Sequence, residues 1–283
     1  MSRIKLRDSF KIIHELDTRS QNGKFDNPNI PESWTEAAGE DIVVGLMDTG
    51  CFPHKDFADS LIVNKTVYDT KDDETGHGTF QVGLIQEIAP KAKFVMVKTS
   101  SEKFLGDAGH FERATAIIKD SGVDIVCIPF EFNDDNYIVR RCVEEMRAQG
   151  IYIVCHYNDS DHKRGSKPAE YDECLSVGRY NTEWLRKIDH KHIFIDYMIP
   201  ETELISTAKN NKYASAIGDH GGVAWTAGMV ALILSKHKKL TTTSPVNSYP
   251  DLIEHLNKLT MNIYELRDMT HYGLIDVRRE LIE

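Results

Sequence analysis

The chain has 283 residues, of which 41% are hydrophobic and 28% are charged, and it carries a net charge of −10. This length suits one large domain with a substantial core, and both fractions are those of an ordinary globular protein. The negative charge argues against nucleic acid as a partner, because that affinity rests on Lys and Arg neutralising phosphates. No apolar run reaches the ~18 residues that a membrane-spanning helix needs. We therefore expect a globular protein that binds neither nucleic acid nor a membrane.

The five cysteines bear on the compartment in which the protein works. Cys127 and Cys155 lie inside apolar strand-like runs, where a free thiol behaves as a small hydrophobe. Residues 1–17 carry charges throughout and lack the apolar core of a signal peptide. An odd number of cysteines without a leader-like segment favours a reducing compartment over secretion. We predict a cytoplasmic protein without a disulfide framework.

Apolar strand-like runs alternate with helical patterns along most of the chain. Runs typical of short buried strands lie, in chain order, at residues 41–47, 93–97, 124–128, 151–155 and 175–177. Helical spacing of apolar residues lies between them, at residues 110–119 and 137–148. Strands buried on both faces and separated by helices indicate an α/β fold with a central, mostly parallel sheet and helices on both faces. Segments rich in turn-forming residues predict loops at 19–31 and 241–250.

Three residues mark the expected functional edge of this sheet. Asp48, Pro129 and Asn158 each come shortly after a predicted strand. The carboxyl ends of parallel strands meet at one edge, and such sheets place their sites there. We therefore expect these three residues to converge.

Two short motifs at this edge carry a resemblance to a known family. Residues 45–50 (GLMDTG) contain Asp48, and residues 76–79 (GHGT) contain His77. They resemble the aspartate and histidine motifs of the subtilisin-like serine proteases, the subtilases or peptidase S8 family. Further similar segments follow in the family's order, ending with YGLIDV at residues 272–277.

The resemblance implies a subtilisin-like three-layer fold over residues 30–283, preceded by an N-terminal extension over residues 1–29. Intracellular members carry comparably short extensions that can lie across the active cleft, and the chain resembles an intracellular-type member in this respect. Apolar residues within the first seventeen positions give the extension a surface with which to dock.

The resemblance also assigns catalytic positions. It implies that Asp48 and His77 are the orienting carboxylate and the general base, and that Asn158 is the oxyanion-hole amide. The nucleophile position holds His220, because residues 218–222 read GDHGG where the family has G-T-S-x-A. Removing the nucleophile of a subtilase lowers kcat by ~10⁶. The sequence therefore predicts that peptide hydrolysis has been lost.

The positions that bind substrate in the family are altered as well. The S-L-G substrate strand reads Pro129-Phe130-Glu131 here. Proline has no N–H for a ladder and glutamate adds bulk where glycine allows close approach, so we expect both to obstruct a substrate backbone. Tyr157 replaces the glycine of the specificity-pocket wall and is expected to intrude into that pocket. Together these changes predict a pseudoprotease that binds a peptide or a protein partner.

Two hydrolase alternatives remain open. A serine endopeptidase could use a displaced serine, and Ser215 is the nearest candidate. A metal-dependent hydrolase could use Asp48, His77 and His220, since two histidines and a carboxylate form a known ligand set. His220 could otherwise be an inert plug hydrogen-bonded to His77, or itself a nucleophile.

We predict no metal and no other cofactor. The acidic residues 69–74 (DTKDDE) could bind calcium, as loops in this family often do, but they lack an EF-hand pattern. We expect a solvated loop there.

Overall fold

The structure is a computed structural model, and it describes most of the chain. The residues that it describes are 3–5, 11–16, 37–101, 105–132, 134–157, 166–180, 195–200, 203–217, 221–239, 246, 248–261 and 270–275.

Strands and helices alternate between residues 61 and 156, as the sequence predicts, whereas five described strands follow one another between residues 152 and 217. In chain order the strands are β1 (Arg3–Lys5), β2 (Lys11–Leu16), β3 (Val43–Asp48), β4 (Leu61–Thr66), β5 (Lys93–Lys98), β6 (Leu105–Asp107), β7 (Ile125–Ile128), β8 (Glu131–Phe132), β9 (Tyr152–His156), β10 (Cys174–Tyr180), β11 (Ile195–Pro200), β12 (Leu204–Ala208), β13 (Lys212–Ile217), β14 (Thr260–Met261) and β15 (Thr270–Ile275). The helices are α1 (His77–Ile88), α2 (Ala108–Asp120), α3 (Tyr137–Ala148), α4 (Gly221–Lys239) and α5 (Tyr249–Lys258), with a 3₁₀ turn at Lys209–Asn211.

A large central sheet organises the molecule. Within the described residues it has nine strands in the spatial order β14-β15-β11-β10-β9-β7-β3-β5-β4. Every neighbouring pair from β15 to β4 is parallel, and β14 pairs antiparallel at one end. The central strands β7 and β9 are buried along their whole length, which is expected of a sheet covered on both faces.

Helices cover both faces of this sheet. One apolar cluster joins the sheet to α1, α4 and α5, and a second joins its other face to α2 and α3. The helix α4 is almost continuously apolar and buried from Gly221 to Ser235, as a core helix is. The predicted three-layer α/β fold is confirmed.

None of the helices in the described part of the chain is both long and apolar enough to cross a membrane.

Boundaries of the predicted elements differ from the observed ones by at most two residues, except at the end of β10, which extends to Tyr180, and at the start of α5. The helix α5 begins at Tyr249, inside the predicted loop at 241–250. Its start is set by Ser248, whose hydroxyl accepts a hydrogen bond from the amide of Asp251, with Pro250 in the first turn. The Ser and Pro residues that indicated a loop belong here to the N-terminus of a helix. The other predicted loop, residues 19–31, lies outside the described residues.

Candidate functional site

Asp48 and His77 meet at the carboxyl edge of the central sheet. Asp48 is the last residue of β3 and His77 is the first residue of α1. The imidazole Nδ1 lies 2.8 Å from Oδ1 and 3.0 Å from Oδ2 of the carboxylate, and both side chains are fully buried. A buried carboxylate that accepts from Nδ1 fixes the ring orientation and leaves Nε2 as the reactive nitrogen. The structure therefore brings together the two residues that the sequence placed at this edge.

The close approach of α1 to β3 depends on a glycine. A Cβ at Gly78 would lie 2.1 Å from the carbonyl oxygen of Gly50 and 3.1 Å from Oδ1 of Asp48. Any larger residue would therefore push the start of α1 away from the end of β3. The GHGT motif thus supplies both His77 and the space that lets it reach Asp48.

Asp73 holds the same two segments together and was missed by the sequence analysis. Its Oδ1 accepts hydrogen bonds from the Thr49 hydroxyl at 2.7 Å and from the Gly76 amide at 2.9 Å. Its Oδ2 accepts from the amide and the hydroxyl of Thr79, at 2.8 and 2.7 Å. Burial raises the pKa of Asp73, although the hydrogen bonds from Thr49 and Thr79 oppose the shift. This carboxylate ties the loop after β3 to the first turn of α1.

The expectation of a solvated loop at residues 69–74 is therefore wrong for part of the segment. Asp73 is fully buried, and the nearly buried ammonium group of Lys98 donates hydrogen bonds to the Glu74 carboxylate and the Asp72 carbonyl oxygen. Burial alone would raise the pKa of Glu74, but the hydrogen bond from Lys98 lowers it. The signal that could have identified Asp73 is its spacing, because an Asp shortly before a Thr-Gly turn commonly accepts from the backbone amides that follow.

Gln81 is a second residue that the sequence analysis missed. It lies four residues after His77 on α1, hence on the same helix face. Its amide Nε2 lies 3.2 Å from Nε2 of His77, and its side chain is only 1% exposed. Its Oε1 has no hydrogen-bond partner within the described part of the chain. A polar residue at i+4 in an otherwise apolar helix was the available signal.

The end of β9 contributes two further buried side chains. Burial, with smaller effects from Arg179 and His77, lowers the pKa of His156 to about 3, so this imidazole is neutral at pH 7. Tyr157 donates its amide to the carbonyl oxygen of Val177 at 2.9 Å, and its side chain is buried in the apolar cluster that includes Phe130. Tyr157 is thus packed in the core, and its expected intrusion into a specificity pocket stays a prediction.

Two predicted site residues, Asn158 and His220, lie outside the described residues. The described part of α4 begins at Gly221, directly after the position of His220. Asn158 comes directly after the described Tyr157 that follows β9. Their roles stay predictions. Among the described residues, no three His, Cys, Asp or Glu side chains are grouped as metal ligands.

The strand predicted to receive a substrate pairs with the chain's own N-terminal strand. In the described residues, β6, β1 and β8 form a separate three-stranded antiparallel sheet with β1 in the middle. The ladder uses Glu131 and Phe132 and does not include Pro129. The expectation that Pro129 and Glu131 obstruct a substrate backbone stays a prediction. The Glu131 side chain is buried and accepts a hydrogen bond from the Ser166 hydroxyl at 3.2 Å.

A second N-terminal strand pairs with a strand from later in the chain. The strand β2 joins the edge of β13, which precedes α4, in the three-stranded sheet β12-β13-β2. Ser215 lies in the middle strand of this sheet and is buried. Its hydroxyl has no hydrogen-bond partner among the described residues. Both β1 and β2 belong to the predicted N-terminal extension, whose strands therefore pair with β6 and β8 and with β13.

Comparisons with known proteins agree with this architecture. A model of the subtilase family (Peptidase S8) matches residues 39–262. The chain belongs to the subtilase family. This confirms the family that the sequence motifs indicated.

The relatives include proteases that are named as intracellular and one that is named as extracellular. The chain is 26% identical to the major intracellular serine protease of Bacillus subtilis (strain 168), over 72% of this chain and 72% of that protein. It is 24% identical to the intracellular serine protease of Paenibacillus polymyxa, over 87% of this chain and 82% of that protein. It is 25% identical to the minor extracellular protease Epr of B. subtilis (strain 168), over 96% of this chain. The chain spans less than half of that last subtilase, 44% of its length.

Proposed function

We propose that this subtilase has lost peptide hydrolysis and binds an extended peptide or protein segment in its cleft. The loss of hydrolysis rests on the sequence, which has His220 where the family has its serine. An imidazole at that position supplies no alcohol for the acyl transfer that serine performs. The binding function is carried by one observation, the antiparallel pairing of β1 between β6 and β8.

Gln81 supports the loss of hydrolysis independently. In a Ser-His-Asp triad the Nε2 atom of the histidine takes the proton from the serine, so it must face the nucleophile. Here Nε2 of His77 is 3.2 Å from the amide nitrogen of Gln81. In the tautomer with the proton on Nδ1, Nε2 accepts from this amide while Nδ1 donates to Asp48. The atom that would act as general base is thus within hydrogen-bond distance of a protein group.

The three-stranded ladder supports peptide binding. An extended segment that adds to a sheet edge gains affinity from main-chain hydrogen bonds, whichever chain it comes from. The pairing of β1 between β6 and β8 supports the proposal that an extended segment from a partner can lie there. Because β1 is part of the same chain, it competes at a high effective concentration, and a partner must displace it.

We place this function in the cytoplasm. All five cysteines lie in the described residues, and each is buried and free. Free thiols persist in reducing compartments. The similarity to two proteases named as intracellular supports the same location.

The test must separate lost chemistry from a blocked cleft, because β1 would also inhibit an active enzyme. Ile4→Pro in the full chain removes an N–H from the middle strand and should free the cleft, while Ile4→Val is the matched control that keeps the strand. We expect no hydrolysis of casein or chromogenic peptides by either variant.

Hydrolysis by Ile4→Pro would contradict the proposal and identify an autoinhibited peptidase. Loss of that hydrolysis on adding Ser215→Ala would then identify Ser215 as a displaced nucleophile. Loss of the hydrolysis when a chelator is added would instead favour a metal-dependent hydrolase that uses Asp48, His77 and His220.

A further inference from the structure

The strand β12 is bonded directly to the helix that carries His77. The Ser206 hydroxyl donates to the carbonyl oxygen of Phe80 at 2.7 Å, and the Thr207 hydroxyl donates to that of Thr79 at 2.7 Å. Both hydroxyl side chains are fully buried. Because His77 is the first residue of α1, the two carbonyl groups belong to the same first turn. Two buried hydrogen bonds therefore hold the start of α1 against β12.

A glycine lets β12 reach the backbone of α1. A Cβ at Gly83 would lie 2.3 Å from the hydroxyl oxygen of Ser206 and 2.3 Å from that of Thr207. Any larger residue would therefore push β12 away from the helix. On its other side, Thr79 donates its amide and its hydroxyl to Asp73. The first turn of α1 is thus held between β12 and the Asp73 carboxylate.

A continuous line of paired residues runs from β2 to this contact. Residues 206–207 of β12 are the register partners of residues 213–214 of β13. The same two residues of β13 are the register partners of residues 15–16 of β2. The main-chain ladder therefore leads from β2 through β13 and β12 to the first turn of α1.

The strand β13 also contacts the loop that follows Asp48. The Nε2 atom of His54 lies 3.0 Å from the carbonyl oxygen of Lys212, and the Tyr213 hydroxyl donates to Asp56 at 3.1 Å. The sheet β12-β13-β2 is thus connected to the segments that carry both members of the Asp48–His77 pair.

The strand β2 is the part of this sheet that is most easily removed. Within the described residues it forms an edge, and it lies outside residues 39–262, which the subtilase model matches. Strands near a chain terminus open at a lower free energy than a core does, and a two-stranded antiparallel pair is less stable than a three-stranded sheet. A competing strand or a local opening can therefore shift the pairing of β2.

We propose that Ser206 and Thr207 are positioning residues for His77, and that the pairing of β2 with β13 controls the corner through them. Loss of β2 would loosen β12 and, with it, the first turn of α1. This control would act on His77 whether or not the chain cleaves peptides, so it goes beyond the proposed function and does not depend on it.

The first test replaces two neighbouring residues of β2 in the full chain, His14→Pro with Glu15→Pro. Successive N–H groups of a strand point to opposite sides, so one of the two prolines removes an N–H that faces β13. The matched control, His14→Ala with Glu15→Ala, loses the same side chains but keeps both N–H groups. Hydrogen exchange of the amides at residues 80–84 should be about tenfold faster in the proline variant.

The helix α3 separates this effect from a general loss of stability. It packs on the other face of the central sheet, in the second apolar cluster. Its amides should therefore exchange at the same rate in the proline variant and in the alanine control. Equal exchange of residues 80–84 in those two proteins would overturn the control by β2.

The second test uses Thr207 in an otherwise unchanged chain. Thr207→Val keeps the shape of the side chain but removes the hydroxyl, whereas Thr207→Ser keeps the hydroxyl. The valine variant should shift the NMR resonance of the proton that His77 Nδ1 donates to Asp48, and the serine variant should leave it near its original position. A resonance that is the same in both variants would overturn the positioning role of Thr207.

Combining the changes tests whether β2 acts through β12. In the Thr207→Val background, the two prolines should speed the exchange of residues 80–84 by less than they do alone, because residues in one connected network give non-additive effects. Fully additive effects would contradict the connection.

Native-state hydrogen exchange of the unchanged chain replaces the first test if the proline variant does not fold. In low urea, the amides of β2 and those of residues 80–84 should open together, before those of α3. Openings of β2 and of α1 that depend differently on urea would overturn the proposal.

Discussion

The buried corner around His77 and the three-stranded sheet around β1 are held together in different ways. In the corner, side chains make the contacts: Asp48 orients His77, and the Gln81 amide lies beside the other ring nitrogen. In the sheet, main-chain pairing joins β1, from the N-terminal part of the chain, to β6 and β8.

The comparison teaches that the two regions depend on different parts of the sequence. A ladder depends on main-chain groups and tolerates changes of side chain, whereas the corner depends on particular side chains. Under the proposed function, single replacements in the corner would therefore remove the chemistry while the ladder is kept.

The largest predicted effect tests what holds the corner together. Asp73→Ala would remove the acceptor of the Gly76 amide and of the Thr79 amide and hydroxyl, and one of the two acceptors of the Thr49 hydroxyl. We expect the free energy of unfolding, measured by urea denaturation, to fall by about 4 kcal/mol. The neighbouring Asp72→Ala is the control, because Asp72 is exposed and should change stability by less than about 0.5 kcal/mol. Equal losses for the two variants would contradict the assigned role of Asp73.

A pH dependence should also come from the corner. The pKa of His156 falls from 6.5 to about 3 on folding because the side chain is buried. Between those values the unfolded chain binds more protons, so stability is complete above pH 6.5 and falls as the pH drops, by up to about 1.4 kcal/mol per pH unit. Asp73, whose pKa is raised by burial, acts in the opposite sense.

Comparing the pH dependence of stability of the wild type and of a variant isolates the contribution of His156. His156→Gln should lack this part of the slope when unfolding free energies are compared from pH 7 to pH 4, while the contribution of Asp73 cancels. Parallel pH profiles for wild type and variant would show that His156 binds protons equally in the folded and unfolded states, which would contradict its lowered pKa.

The smallest effect concerns Gln81. Replacing it with methionine removes a buried acceptor that has no partner among the described residues and also the hydrogen bond to His77. These losses oppose each other, so we expect the free energy of unfolding to change by less than about 1 kcal/mol. A loss of several kcal/mol would show that the Gln81 amide is a main structural link of the corner.

The fold was predictable because its signals are local. Apolar runs of strand length identified β3, β7 and β9, and helical spacing gave α3 with its observed bounds. Ordered motifs then placed Asp48 and His77 together. Each of these sequence signals lies within a few residues of the element or side chain that it predicts.

The rest of the site depends on contacts between distant segments. The strand β1 is only three residues long, and it is a strand because β6 and β8 pair with it. The acidic composition of residues 69–74 indicated a solvated loop. Asp73 is instead buried, and it accepts hydrogen bonds from Thr49 and Thr79, which belong to other segments. Neither outcome could be derived from local composition.

The central claim is that this cleft binds a peptide without cutting it. The most direct measurement incubates the full-length Ile4→Pro protein with a labelled peptide of residues 1–9 (MSRIKLRDS), follows binding by fluorescence anisotropy, and then analyses the same sample by mass spectrometry. The account predicts saturable binding and complete recovery of the intact peptide. Bound peptide that is recovered as fragments, with no fragments in a sample lacking the protein, would contradict it.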